Sequence, residues 1–134
     1  MTNDSDSLLV FVYGSLKRSE HNHGLLARAR YIDEARTEPR YRLRVTDSYP
    51  AMIRTDEDPL SIEGEVFEVD RATLARLDRL EDNGRLYLRE LIPVVLAGSP
   101  EQPCQAWAYV YLLDVADLAP WPTGHWAGRQ LRSF

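Results

Sequence analysis

An unbroken apolar segment that runs straight into a compact polar turn constrains this chain more than any other feature. Residues Leu8–Val12 read LLVFV, and they are followed at once by Tyr13, Gly14, Ser15 and Leu16. A strand with no polar position along its length is typical of a sheet that is covered on both faces. The segment therefore predicts a central strand, and the short turn after it offers clustered backbone N–H groups to a ligand.

The composition is that of a small globular domain without a polyanionic partner. The chain has 134 residues, of which 44% are hydrophobic and 28% charged, and its formal net charge is -5. This length suits one domain with a single core, and the negative charge argues against nucleic acid or an anionic membrane as a partner. The one cysteine, Cys104, excludes an intrachain disulfide and favours a reducing compartment.

The N-terminus and the hydropathy pattern predict where the domain begins and where the protein resides. The first seven residues, MTNDSDS, are polar and acidic. We expect residues 1–7 to be a disordered tail rather than a signal peptide, and residues 8–134 to be a single domain. No apolar run approaches the roughly 20 residues that a membrane-spanning helix needs. The sequence thus predicts a soluble, cytoplasmic protein.

Most of the remaining chain has strand-like patterns. They predict strands over residues 40–46, 51–54, 61–69, 85–96 and 105–113. Residues 22–30 have weak helical character, residues 48–50 read as a bend, and residues 119–128 contain too much proline and glycine for regular structure, with Trp121 and Trp126 as anchors. Many strands and few helices indicate an α+β fold, a small mixed barrel-like sheet with one or two flanking helices.

One helix is predicted after residue 69, and its last carboxylate is the most informative acidic residue of the chain. Asp70 is a suitable N-cap, Leu74, Leu77 and Leu80 follow at helical spacing, and Asn83-Gly84 can close the helix. Glu81 comes four residues after Leu77, so it lies on the apolar stripe and faces the core or a cavity. Desolvation and the negative end of the helix dipole both raise the pKa of such a carboxyl group. Asp78 and Asp82 are one position off the stripe and are expected to be mostly solvated.

Two interpretations of Glu81 follow from the residues alone. A carboxylate with a raised pKa can accept and return a proton near neutral pH, as a general acid–base catalyst does. Alternatively, Glu81 forms a structural ion pair with Arg85 or Arg89 at the end of the helix.

Several short motifs, taken in their order and spacing, resemble one known family. They are VFVYGSL (residues 10–16), Tyr49-Pro50-Ala51, IEGEVFEV (residues 62–69), LDRLE (residues 77–81), Tyr87-Leu88-Arg89 and AWAYVY (residues 106–111). The chain is similar to the γ-glutamylcyclotransferase-like family, which includes the γ-glutamylamine cyclotransferases and the AIG2-like proteins. The resemblance extends from Leu8 to about Tyr111.

The resemblance implies a fold, a reaction and site residues. It implies a small mixed barrel with flanking helices, and an intramolecular reaction in which the α-amine of a γ-glutamyl group attacks its own γ-carbonyl, releasing 5-oxoproline and an amine. The substrate-binding turn falls on Tyr13, Gly14, Ser15 and Leu16, and the catalytic glutamate falls on Glu81. A small-molecule γ-glutamyl substrate is implied, and no metal or cofactor. Ser19 and Asp82 depart from the family, which often has glycine there.

Other assignments of the same residues remain open. The pocket could pass the acyl group to water or to another amine, or the domain could be a non-catalytic small-molecule or partner-binding module. The arginines at 36, 40, 42 and 44 could bind an anionic substrate or form a solvated strand face, and His21, His23 and His125 fix no metal geometry. Tyr87 and Arg89 either border the pocket or serve the structure. The sequence determines neither the leaving amine nor the oligomeric state.

Overall fold

Strands that close into a barrel organise the part of the chain that the computed structural model describes, residues 8–14, 17, 23–26, 29–46, 49–81, 83–113 and 118–126. The strands are β1 (Leu8–Val12), β2 (Arg30–Thr37), β3 (Tyr41–Thr46), β4 (Tyr49–Arg54), β5 (Glu63–Val69), β6 (Tyr87–Leu96), β7 (Ser99–Tyr111) and β8 (Ala119–Trp121). Helix α1 (Arg71–Leu80) connects β5 to β6, and a short 3-10 helix spans His23–Leu26. The closed barrel has the order β1-β5-β2-β6-β7, and β4-β3-β8 form a three-stranded sheet. The predicted α+β, barrel-like fold is confirmed.

The all-apolar strand β1 occupies the central position that its sequence predicts. It pairs antiparallel with β5 and parallel with β7, where Val10 lies opposite Trp107. Phe11 belongs to a core cluster that includes side chains of the barrel and of the three-stranded sheet. Val10 and Val12 belong to a second cluster with side chains of α1. Both faces of β1 are therefore covered, which explains why none of its positions is polar.

Helix α1 begins and ends where its capping residues predict. The Asp70 carboxylate accepts a hydrogen bond from the Thr73 backbone N–H at 2.7 Å, and Leu74 and Leu77 are buried. Glu81 is the C-cap residue, and its N–H donates to the Leu77 carbonyl at 2.9 Å. Leu80, predicted to continue the apolar stripe, is instead 40% exposed, because at about 100° per residue it lies about 120° from Leu74 around the helix.

Four regions differ from the sequence-based prediction. Strand β2 was not predicted, because a register shift between Tyr31 and Asp33 breaks the alternation of its side chains. Tyr49 and Pro50 pair with β3 instead of forming a bend, since Pro50 lies on an edge strand that requires no N–H at that position. The proline-rich tail contains β8, which pairs with β3 at Leu43–Val45. Pro120 is tolerated there because β8 is also an edge strand. Strand β7 also begins at Ser99, six residues before its predicted start.

No helix in the described ranges is long and apolar enough to cross a bilayer. The predicted N-terminal tail, residues 1–7, lies outside these ranges.

Gly64 of β5 allows a close approach between β5 and β1. A Cβ at this position would lie 2.3 Å from the Val12 carbonyl oxygen and 2.8 Å from the Phe11 ring. We expect Gly64→Ala to lower the free energy of unfolding by about 1–3 kcal/mol, because the backbone contact cannot relax without moving a buried strand.

Urea denaturation measures this effect, and Gly24→Ala is the matched control. A Cβ at Gly24 meets no atom within 4 Å, so its effect should stay within about 0.5 kcal/mol. Equal stability of the two variants would contradict the packing argument.

Candidate active site around Glu81 and the turn after β1

The first half of the candidate site is the turn that follows β1. Tyr13 is buried, and its hydroxyl donates a hydrogen bond to the Tyr109 carbonyl at 2.7 Å and accepts one from the Met52 N–H at 3.2 Å. The Lys17 N–H donates to the Gly14 carbonyl at 3.0 Å, which closes a four-residue turn. The described ends of the predicted turn, Gly14 and Lys17, are thus hydrogen-bonded to each other, and Tyr13 lies in the core just before them. Ser15 and Leu16 lie outside the described residues.

Gly14 is required at its position because Pro50 of β4 packs directly on it. A Cβ at Gly14 would lie 2.6 Å from Cγ of Pro50. The carbonyl of the same proline accepts a hydrogen bond from the Tyr87 hydroxyl at 2.9 Å. Pro50 therefore contacts both the turn and Tyr87, so that β4 and β6 together support the turn.

The second half of the candidate site is the Glu81 carboxyl group at the end of α1. Burial raises its pKa from 4.5 to about 7, which agrees with the direction predicted from the apolar stripe. A guanidinium partner would lower this pKa rather than raise it. The raised value therefore argues against the structural ion pair with Arg85 or Arg89.

Three tyrosine hydroxyls lie within the electrostatic reach of Glu81. Burial raises the pKa of Tyr13 well above its usual value, and Tyr87 and Glu81 add to the effect. The pKa values of Tyr87 and Tyr109 are raised as well, in both cases by burial first, with a smaller contribution from Glu81. All three phenols are therefore neutral at physiological pH. Tyr13 opens the turn, and the Glu81 charge contributes to its raised pKa, so the two halves that the sequence predicted separately are electrostatically coupled.

Asp78 is not mostly solvated, as its helix position predicted, but is about three-quarters buried. Its Oδ1 accepts hydrogen bonds from the Tyr109 hydroxyl at 2.7 Å and from Nε of Arg89 at 2.8 Å. The Arg89 guanidinium also lies 4.5 Å from the centre of the Trp107 ring, in a cation–π contact. Arg89 is thus used by the structure to hold Asp78 and the end of α1.

Sequence reasoning did not identify Tyr109 as a neighbour of Glu81 and left Tyr87 undecided. The signal for Tyr109 was the alternation in AWAYVY, in which Ala106 and Ala108 face one core cluster while Tyr109 faces the other. A strand alternation states which residues share a face, but it does not state which helix covers that face.

The remaining residues that the sequence offered as candidates lie outside this site. His125 is 3.7 Å from the Glu63 carboxylate, and the described residues contain no group of His, Cys, Asp and Glu that could hold a metal ion. His21 and the side chain of His23 are outside the described parts. Of the arginine series, Arg36 and Arg40 are exposed, whereas Arg42 and Arg44 donate to the backbone carbonyls of Asp58 and Leu118. This arrangement favours the solvated strand face over an anion site.

Glu81 lines neither of two clefts that described residues form. One has a volume of about 450 Å³ and is lined by Lys17, Glu34, Ala35, Arg36, Glu63, Gly64, Glu65, Ala97, His125 and Trp126. The other, of about 410 Å³, is lined by Leu8, Arg71, Leu74, Ala75, Asp78, Arg89 and Trp107. Of the residues described above, Lys17 lines the first cleft, and Asp78, Arg89 and Trp107 line the second.

Comparison with known proteins agrees with the fold and the motif spacing. A sequence profile of the family described as Gamma-glutamyl cyclotransferase, AIG2-like matches residues 10–128. A Vibrio cholerae relative that carries a γ-glutamylcyclotransferase name is 38% identical over 103 residues, 77% of this chain and 81% of the relative. The γ-glutamylcyclotransferase family protein YtfP of Escherichia coli K12 is 32% identical over 120 residues, 90% of this chain and 96% of YtfP. The crystal structure of an AIG2-like protein from Mus musculus has the same fold, with a TM-score of 0.78 at 24% identity and 88% coverage of each chain.

A closed mixed barrel with one flanking helix is the fold that this chain shares with the AIG2-like protein, and the family profile matches most of its length. This chain belongs to the AIG2-like γ-glutamyl cyclotransferase family.

Proposed function

We propose that the protein is a γ-glutamyl cyclotransferase, which converts a γ-glutamyl amine or γ-glutamyl amino acid into 5-oxoproline and a free amine, with Glu81 as the general acid–base catalyst. One observation carries the proposal: a carboxyl group with a pKa raised to about 7 interacts electrostatically with Tyr13, the residue that opens the turn after β1. Membership of the family supports the reaction class.

The proposed reaction moves two protons from one nitrogen to the other and exchanges one C–N bond for another. The α-ammonium of the substrate gives a proton to the Glu81 carboxylate, and the resulting amine attacks the γ-carbonyl carbon to form the ring C–N bond. Glu81 returns that proton to the departing nitrogen as the original C–N bond breaks. The regenerated carboxylate then takes the second proton from the ring nitrogen and passes it to the released amine, which leaves as an ammonium ion. A carboxyl group with a pKa near 7 suits both steps, because it is neither too weak a base nor too weak an acid at neutral pH.

The turn after β1 is proposed to bind the substrate through its backbone. The N–H groups of Gly14, Ser15 and Leu16 would form a concave set of donors for the α-carboxylate and for the oxyanion that develops on the γ-carbonyl. The contact between Gly14 and Pro50 supports this role, because it holds the turn against the sheet before the substrate arrives. Tyr13 would close one side of the pocket.

The substrate supplies its own nucleophile, so the pocket has to hold a folded conformation rather than activate a second molecule. Restricting the γ-glutamyl chain to the conformation in which the amine faces the carbonyl carbon removes much of the entropic barrier to ring closure. The ring closure is redox-neutral and requires no cofactor.

A panel of γ-glutamyl amines and γ-glutamyl amino acids, scored for 5-oxoproline by mass spectrometry, tests the proposed function. We expect at least one member to yield 5-oxoproline and the free amine in equal amounts, because one bond exchange produces both. Release of free glutamate instead would indicate hydrolysis. Saturable binding without any product would indicate a non-catalytic binding module on the same fold.

A further inference from the structure

Lys17, the single lysine of the chain, is buried and lies at the end of the turn after β1. Lys17 is 6% exposed, and its Nζ donates a hydrogen bond to the Trp126 carbonyl at 2.5 Å. The other fifteen basic residues of the sequence are arginines. A buried ammonium group is costly unless it is well paired. The hydrogen bond to the Trp126 carbonyl offsets part of this cost.

The Trp126 carbonyl is held in place by several contacts of the segment Trp121–Trp126. Trp126 is only 1% exposed, and its ring centre lies 4.7 Å from that of Trp121. The Trp121 Nε1–H donates to the His125 carbonyl at 2.7 Å, and the Gly124 carbonyl accepts from the Glu63 N–H of β5 at 2.8 Å. The segment is therefore fixed to the barrel, and the carbonyl that Lys17 contacts is a fixed point.

We propose that Lys17 is a positioning residue, which tethers the turn after β1 to the segment Trp121–Trp126 and so holds this turn in the conformation that binds the substrate. The same residue donates its backbone N–H to the Gly14 carbonyl at 3.0 Å. Its main chain thus closes the turn while its side chain fixes the closed end to a segment 109 positions away. The role in substrate affinity rests on the function proposed above, whereas the role in turn order does not.

The chemistry of the site explains why lysine stands here in a chain that otherwise uses arginine. The Trp126 carbonyl is one acceptor, which an ammonium group on a flexible stem reaches from inside the fold. A guanidinium group is planar and wider and presents its five donors in a fixed fork, so it does not simply replace the ammonium group at this buried position. Lys17→Arg is therefore not a conservative change here.

Amide hydrogen exchange tests the tether independently of catalysis. In Lys17→Met, we expect the exchange protection of the residue-17 amide to fall by about 10-fold or more, because loss of a hydrogen bond to a charged group loosens the turn. The amides of β5 should keep their protection. Unchanged protection at residue 17 would overturn the tether, and a uniform loss in all strands would reveal global destabilisation instead of a local role.

Steady-state kinetics tests the consequence for the substrate. We expect Lys17→Met to raise KM for the γ-glutamyl substrate by about 10-fold, with kcat changed by less than about threefold, because Glu81 is untouched. Lys17→Arg should recover less than half of the lost affinity.

Arg44→Met is the matched control, because Arg44 also donates to a distant backbone carbonyl, that of Leu118, at 3.0 Å. Its KM should stay within about twofold of the parent protein. An equal rise of KM in Lys17→Met and Arg44→Met would overturn the positioning role.

Calorimetric titration with an inert γ-glutamyl analogue separates this proposal from the proposed function. If the parent protein binds the analogue but makes no 5-oxoproline, the cyclotransferase assignment fails while the weaker binding of Lys17→Met still supports the positioning role. If the parent protein neither binds nor turns over a γ-glutamyl compound, both the function and the role in affinity are wrong.

Discussion

Replacing Glu81 by Gln is expected to lower kcat/KM for a γ-glutamyl substrate by about 10²–10⁴-fold, the usual contribution of general acid–base catalysis. Glutamine keeps the size and the hydrogen-bonding reach of the side chain but cannot carry a proton between the two nitrogen atoms of the reaction. Initial rates of 5-oxoproline release measure the loss. KM should change little, because the turn after β1 remains intact.

The stability of Glu81→Gln distinguishes loss of catalysis from loss of folding. Burial disfavours the ionised carboxyl group, so the neutral amide should leave the free energy of unfolding at pH 8 equal to or higher than that of the parent protein. Glu101→Gln, at an exposed position of β7, is the matched control and should affect neither activity nor stability. Full activity in Glu81→Gln would show that another group moves the proton.

The pH dependence of kcat/KM should follow the raised pKa of Glu81. Because the reaction begins with the carboxylate form, kcat/KM should rise tenfold per pH unit up to about pH 7 and flatten above it. Between pH 5 and pH 8 this amounts to about 100-fold. Rates at substrate concentrations well below KM measure the profile. The residual activity of Glu81→Gln should not show the rise of kcat/KM below pH 7. A midpoint near 4.5, the ordinary value for a glutamate, would contradict the assignment of the base.

The free energy of unfolding is expected to fall as the pH rises, whereas kcat/KM rises. The folded protein holds the Glu81 proton up to about pH 7, whereas the unfolded chain releases it near pH 4.5. The unfolded state therefore binds fewer protons in this window, and the free energy of unfolding should fall by up to about 3 kcal/mol as the pH rises through it. Urea denaturation at several pH values measures the slope, and Glu81→Gln should lack this component.

Local sequence patterns determined the elements that carry the site. The all-apolar run of β1 required a strand covered on both faces. The spacing of Leu74 and Leu77 predicted that Glu81 faces inward, in agreement with the rise in its pKa that burial causes. The turn after β1 could be predicted from Gly14 and its neighbours, and the order of the motifs indicated the family. These features depend on residues within one or two turns of each other, so the periodicity of the backbone is sufficient to predict them.

Contacts between distant parts of the chain were decided by the tertiary structure. Asp78 was predicted to be solvated from its helix position, but Tyr109 and Arg89, on two other strands, reach it and bury it. β2 pairs with β5 and β8 pairs with β3, and neither pairing can be predicted from the residues of one strand alone.

Lys17 is the clearest case of this division. Its position after the turn is visible in the sequence, but its partner is a backbone carbonyl 109 residues later. Every residue has a backbone carbonyl, so the sequence cannot predict which carbonyl accepts the hydrogen bond from Lys17. The sequence by itself determined which groups are capable of acid–base chemistry and anion binding. Only the folding of the barrel decided which of them meet, because that depends on strand order and register rather than on residue type.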